Sequence, residues 1–96
     1  MNITGDTGQM IGNIIDSISL AICDAGVNAN FKARMQDKRS SEMTISGSHL
    51  LFDNTNQILL IQSVKSFEKK PKTVIIPYDA LTRILSGDPR GIYRFI

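Results

Sequence analysis

His49 is the only histidine of the chain and Cys23 its only cysteine. Neither a histidine pair nor a cysteine cluster is therefore present to hold a zinc-type ion, and no internal disulfide can form. His49 lies beside Leu50 and Leu51 in a short β-like segment, where an imidazole reads as a structural residue; no nucleophile motif surrounds it or Cys23. The nine carboxylates are scattered, with no two at a spacing that makes a metal site or an acid/base pair. Phosphate-cradling glycine motifs of the G-x-x-x-x-G-K-[ST] and G-x-G-x-x-G kinds are missing. Asn2 to Thr4 fits a glycosylation sequon, but without a secretory signal it is a chance match. The expectation is a non-enzymatic protein with no catalytic residue, metal, cofactor or small-molecule substrate.

Charge is more informative. The formal net charge is only +2, yet residues 1–30 carry Asp6, Asp16 and Asp24 and no basic residue. Lys32, Arg34, Lys38 and Arg39 outnumber Asp37 to give residues 31–40 a net +3, and Lys65, Lys69, Lys70 and Lys72 outnumber Glu68 to give residues 65–72 another +3. Aromatics are interleaved with these charges: Phe31 beside Lys32 and Arg34, Phe67 inside the lysine-rich segment, Tyr93 between Arg90 and Arg94. Single-stranded nucleic-acid binders use this combination, cations following the phosphates while aromatic faces stack on bases.

The leading expectation is a small accessory or regulatory protein that binds nucleic acid, single strands above duplex. Lys32, Arg34, Lys65, Lys69, Lys70 and Lys72 would contact phosphates, and Phe67 would be the stacking residue. The plainer reading of the same residues is a solvated loop, a strand edge kept from aggregating by its lysines, and Phe31 in the core. The rival function is a protein–protein module: an inhibitor, adaptor or assembly subunit of the kind that viruses and mobile elements encode. Leu20, Ile92, Tyr93 and Phe95 would then meet a partner, or a second copy in a homo-oligomer.

The elements that must position these residues follow from periodicity. Asp6, with Gln9 three residues on, opens a helix in the manner of a capping box. From Met10 to Ala25 the apolar residues fall within an arc of about 140° at helical spacing. Asn13, Asp16, Ser17, Ser19, Cys23 and Asp24 make the polar side, Leu20 is the one apolar residue on it, and Gly26 is the expected stop. Residues 27–35 alternate apolar and polar at period 2, which predicts a half-buried strand, although Ala, Lys, Arg and Met also favour helix. Short strands are expected at 43–46 and 49–53 around Gly47, followed by a turn at 53–56.

Residues 57–87 organise the chain. Ile58 to Ile61 and Val74 to Ile76 are apolar on both faces, which predicts two central strands, the second ended by Pro77. A helix capped by Asp79 then buries Leu81, Ile84 and Leu85 and ends at Gly87, and residues 92–96 suit a last edge strand. The fold class is α+β: an N-terminal amphipathic helix, an antiparallel sheet of four to five strands and a short C-terminal helix, in one compact domain spanning 1–96. No apolar run approaches the roughly 20 residues needed to cross a bilayer, and with one cysteine and no signal peptide the expected location is cytoplasmic.

The order of sheet, lysine-rich loop, Val74 to Asp79 and helix resembles, over residues 43–86, the coactivator-type proteins that bind single-stranded DNA on a curved four-stranded sheet. Val74 to Ile84 is also similar to the ends of Sm-like barrels. The long N-terminal helix and the short stretch after Gly87 depart from the first, and the longer terminal helix departs from the second. No residue roles are carried over.

Overall fold

The computed structural model describes residues 9–63 and 73–96. In chain order it contains helices α1 (Gln9–Cys23) and α2 (Ala25–Gln36), strands β1 (Ser41–Ile45), β2 (Ser48–Asp53), β3 (Ile58–Ser63) and β4 (Val74–Pro77), helix α3 (Tyr78–Leu85), and a 3-10 helix over Pro89–Arg94. The expected helix start at Asp6 and the whole of Lys65 to Lys72 lie outside the described residues.

The strands form one antiparallel meander in the order β1-β2-β3-β4. Its tightest turn is Ser46–Gly47, where both residues have positive φ, 50° and 77°. This is the two-residue geometry whose twist suits a hairpin. A side chain at Gly47 would also press within 3.0 Å of the Asn13 amide on α1. The inner face of the sheet carries Leu50, Phe52, Leu59, Ile61, Val74 and Ile76, all buried. Against it pack Ile14, Ile18 and Ala21 of α1, Phe31 of α2, Tyr78, Leu81, Ile84 and Leu85 of α3, and Ile92 of the 3-10 helix. Ser17, expected on the polar side of α1, is fully buried. Its hydroxyl lies 2.8 Å from the carbonyl of Asn13 and 2.7 Å from that of Ile45, joining α1 to the end of β1.

Five expectations are corrected. Residues 27–35 are helical. The Asp24 carboxylate accepts hydrogen bonds from the N–H groups of Gly26 (2.9 Å) and Val27 (3.1 Å), so Gly26 stands in the first turn of α2 rather than stopping α1. The alternating pattern misleads because Val27, Phe31 and Met35 are also spaced i, i+4, i+8. The helix turns these three inward and leaves Ala29 and Ala33 exposed at little cost. β4 is an edge strand, pairing with β3 alone, whereas β3 is central as expected. Asp79 does not cap α3: Pro77 occupies that position without a side-chain bond, and Asp79 lies in the first turn. Residues 92–96 form no strand, because Asp88 accepts from the Arg90 N–H and starts a 3-10 helix that buries Ile92. Gly87 does follow the end of α3, at φ 124°. Among the described residues no helix is long and apolar enough to cross a membrane.

One side chain ties the two ends of this architecture together. Asn54, first residue of the β2–β3 turn, directs its Nδ2 at three carbonyls, those of Arg34 (2.8 Å), Asp37 (2.9 Å) and Arg39 (2.8 Å). Its Oδ1 accepts from the Tyr78 hydroxyl at the start of α3. Asn54→Ala removes these bonds, leaving the Arg34 carbonyl with only the Asp37 N–H (3.3 Å), and should cost about 2–3 kcal/mol in chemical denaturation. Asn54→Asp should cost more, since it keeps the acceptor but turns a carboxylate towards the carbonyls.

Burial, and then the charge of Asp53, push the Tyr78 phenol up to about 12. An unfolded tyrosine loses its proton near pH 10. The stability linked to the neutral phenol is therefore whole below about pH 10 and lost as pH rises towards about 12. Thermal melts should show the wild type falling further than Tyr78→Phe across that interval, the lysines being common to both.

Candidate interaction surface

Of the residues that the sequence groups by charge, those of the first basic segment are described. Lys32 is exposed on α2. Arg34 is engaged within the molecule, its Nε donating to Asn30 Oδ1 (2.6 Å) and its Nη1 to the backbone carbonyl of Glu42 (3.2 Å). That second bond covers an outward carbonyl of β1, an edge strand. Phe31 is fully buried, its ring meeting Phe52 edge-to-face with centroids 5.2 Å apart. Lys65, Phe67, Lys69, Lys70 and Lys72 lie outside the described residues. Ser63, from which their segment departs, pairs with Ser48 beside the Ser46–Gly47 turn. The segment bearing Lys38 and Arg39 instead wraps Asn54 at the other end of the sheet.

Of the residues expected at a protein interface, Leu20 and Tyr93 are exposed, at 38% and 61%. Phe95 is half-buried, and Ile92 is 1% exposed and belongs to the core, which corrects its assignment to an interface.

Sequence reasoning misses the outer face of the sheet. All three helices and the 3-10 helix contribute their buried residues to the inner face, and no described residue is packed over the other. Strand alternation and register set Leu51, Leu60 and Ile75 side by side across β2, β3 and β4, with Ile58 and Pro77 paired in the next row. Ile75 is 49% exposed, and Leu51, Leu60 and Ile58 are half-buried. The signal in the sequence is the strands apolar on both faces. That pattern reports two hydrophobic faces without saying that both are covered.

Among the described residues the carboxylates of this face lie together on its β1–β2 side. Glu42 is paired with Leu51 and lies 3.4 Å from His49 Nε2. Asp53 stands two residues beyond Leu51 on β2, its carboxyl held below the usual range first by the Asn56 side-chain amide and then by the Asn56 backbone N–H. Among the described residues no group of three His, Cys, Asp or Glu side chains is placed to hold a metal ion.

No protein-family model matches the chain, and neither a curated protein nor a solved structure matches it.

If Arg34 serves the β1 edge, Arg34→Ala should lower stability by about 1 kcal/mol. It should also raise the tendency to aggregate on heating, read by light scattering, more than Lys32→Ala does.

Proposed function

We propose that this protein is a binding module for another protein, and that the outer face of its sheet is the docking surface. The observation that supports this reading is the continuous aliphatic row Leu51, Leu60 and Ile75, with Ile58 and Pro77 beside it, on a face that no described element covers. Isolated exposed apolar residues are ordinary; a contiguous row across three strands is the kind of surface that marks an interface.

Charge complementarity selects the occupant. Glu42 and Asp53 are the described carboxylates beside the row, both on its β1–β2 side, so the matching partner presents aliphatic side chains bordered on that side by lysine or arginine. Among the described residues a second copy docked face to face has no lysine or arginine on this face to offer them. Size sets the strength: four strands about 4.8 Å apart and five residues long give a projected face of roughly 320 Å². That is less than half of the about 800 Å² that each partner contributes to a standard stable interface. The association is therefore transient unless the partner also takes an edge strand. A cytoplasmic setting accords with Cys23 standing exposed as a free thiol.

The nucleic-acid reading now rests on Lys32 and the segment 65–72, since Phe31 is buried and Arg34 is engaged, and it enters as the competing outcome of one experiment. Wild type, Ile75→Lys and Lys69→Glu/Lys70→Glu are compared in affinity capture from cells of the source, with the captured protein then purified and its binding reconstituted. Anisotropy with a labelled single strand and a duplex runs alongside. Reconstituted binding should weaken at least about tenfold in Ile75→Lys, which sets an unpaired charge in the apolar row, and stay unchanged in the lysine-loop variant. Salt-sensitive nucleic-acid binding abolished by the lysine-loop variant, with protein binding the same in Ile75→Lys as in the wild type, would overturn the proposal. A dimer in light scattering that dissociates in Ile75→Lys would replace the partner by a second copy.

A further inference from the structure

On the other side of the molecule α3 and the C-terminal 3-10 helix enclose a cleft of about 490 Å³. Its floor is Ala80, Ile84 and Phe95, and its rim carries Arg83 from α3 and Arg90 and Arg94 from the 3-10 helix. The wall is set closely. Ile92, in the core, pins the 3-10 helix, and a Cβ at Gly91 would lie 3.0 Å from Ile84 Cγ1.

Three guanidiniums share this rim with one carboxylate, Asp88, which is already committed. Asp88 Oδ1 accepts from both the backbone N–H and the Nε of Arg90, each at 3.1 Å. Arg83 and Arg94 have no anionic partner among the described residues. The cleft therefore has an apolar, partly aromatic floor and a net +2 rim.

We infer that this cleft binds a phosphate monoester carried on an aromatic or apolar body of nucleoside-monophosphate size. A phosphate dianion matches the net rim charge where a single carboxylate would not, and its oxygens can accept from several guanidiniums at once. The volume falls within the roughly 300–1,000 Å³ of small-molecule pockets, far more than a bare phosphate group fills. The Phe95 side chain and the aliphatic floor supply the surface for the body. This inference is independent of the protein-docking face, which lies across the sheet.

The test is NMR titration of the full chain, labelled with ¹⁵N, with adenosine monophosphate, adenosine, inorganic phosphate and a 5′-phosphorylated oligonucleotide. Adenosine monophosphate should shift the amides of residues 80–95 saturably, inorganic phosphate should shift the same amides at higher concentration, and adenosine should not. Arg83→Gln and Arg94→Gln, both exposed and unpaired, should keep the wild-type spectrum elsewhere and each weaken the nucleotide at least about tenfold, the loss of one charge-assisted hydrogen bond. Lys32→Gln should leave it unchanged. Absence of saturable shifts, equal binding of adenosine, or nucleotide binding that survives in both arginine variants would overturn the inference. Binding of the oligonucleotide without the mononucleotide would replace the small ligand by a nucleic-acid end.

Discussion

The carboxamide of Asn54 is the contact on which the arrangement of the described elements depends. It joins the backbone at the end of α2 and in the loop leading to β1 to the Tyr78 side chain at the start of α3. The backbone N–H of Asn54 adds a bond to Ser40 Oγ at 3.0 Å, and the N–H of Tyr78 one to the Gln57 carbonyl at 3.0 Å, so the same turn is tied down twice more. This matters most for α2. Phe31 is its one buried residue, and a helix with so little apolar surface is held in place by what happens at its ends. At the first end the Nδ2 of Asn28 reaches the carbonyls of Ala21 (2.8 Å) and Leu85 (3.1 Å), joining α2 to α1 and α3. At the second, Asn54 does the equivalent work. Two amides thus position a helix that its hydrophobic pattern alone would not.

The sidedness of the sheet follows from the same economy of material. With α1, α2 and α3 all drawn to the inner face, the outer face is left to side chains of the strands. A chain of 96 residues has a small core to distribute, and here a single layer of helices on a single sheet absorbs it. No described helix packs on the aliphatic row at Leu51, Leu60 and Ile75, which contributes to the domain through its cross-strand pairs. The proposed docking partner would give the same row a second role.

The amphipathic run of α1, the centrality of β3, the hairpin at Gly47, the turn after Asp53 and the buried stripe of α3 are all legible in the sequence, because each is written in a local period or a turn residue. What escapes depends on contacts distant in sequence. Period 2 over residues 27–35 contains the helical spacing of Val27, Phe31 and Met35, and only the Asp24 cap together with the docking of Phe31 on Phe52 resolves the choice. An apolar strand tells how many of its faces are hydrophobic, not how many are covered, so Ile75 reads as central in a sheet whose edge it occupies. Arg34 reads as a free cation in any charge count, yet two hydrogen bonds bind it to Asn30 and the β1 edge. The arginine cleft cannot be read from the sequence at all: Arg83 and Arg94 are brought together by the reversal at Gly87 and the seating of Gly91 on Ile84.

The two surfaces meet along the direct junction of β4 with α3, where Tyr78 follows Pro77 with no loop between them. Such a junction invites the idea that a ligand in the cleft alters the sheet face. Coupling of that kind needs two arrangements of the shared element that the ligand binds with different affinity. α3 is pinned by Leu81, Ile84 and Leu85 in the core, by Tyr78 on Asn54 and by Leu85 on Asn28, and the 3-10 helix opposite it is pinned by Ile92. A packed element held at both ends resists continuous displacement. A ligand of the kind proposed would then neutralise the rim of the cleft without moving α3, and the two proposed surfaces would act independently.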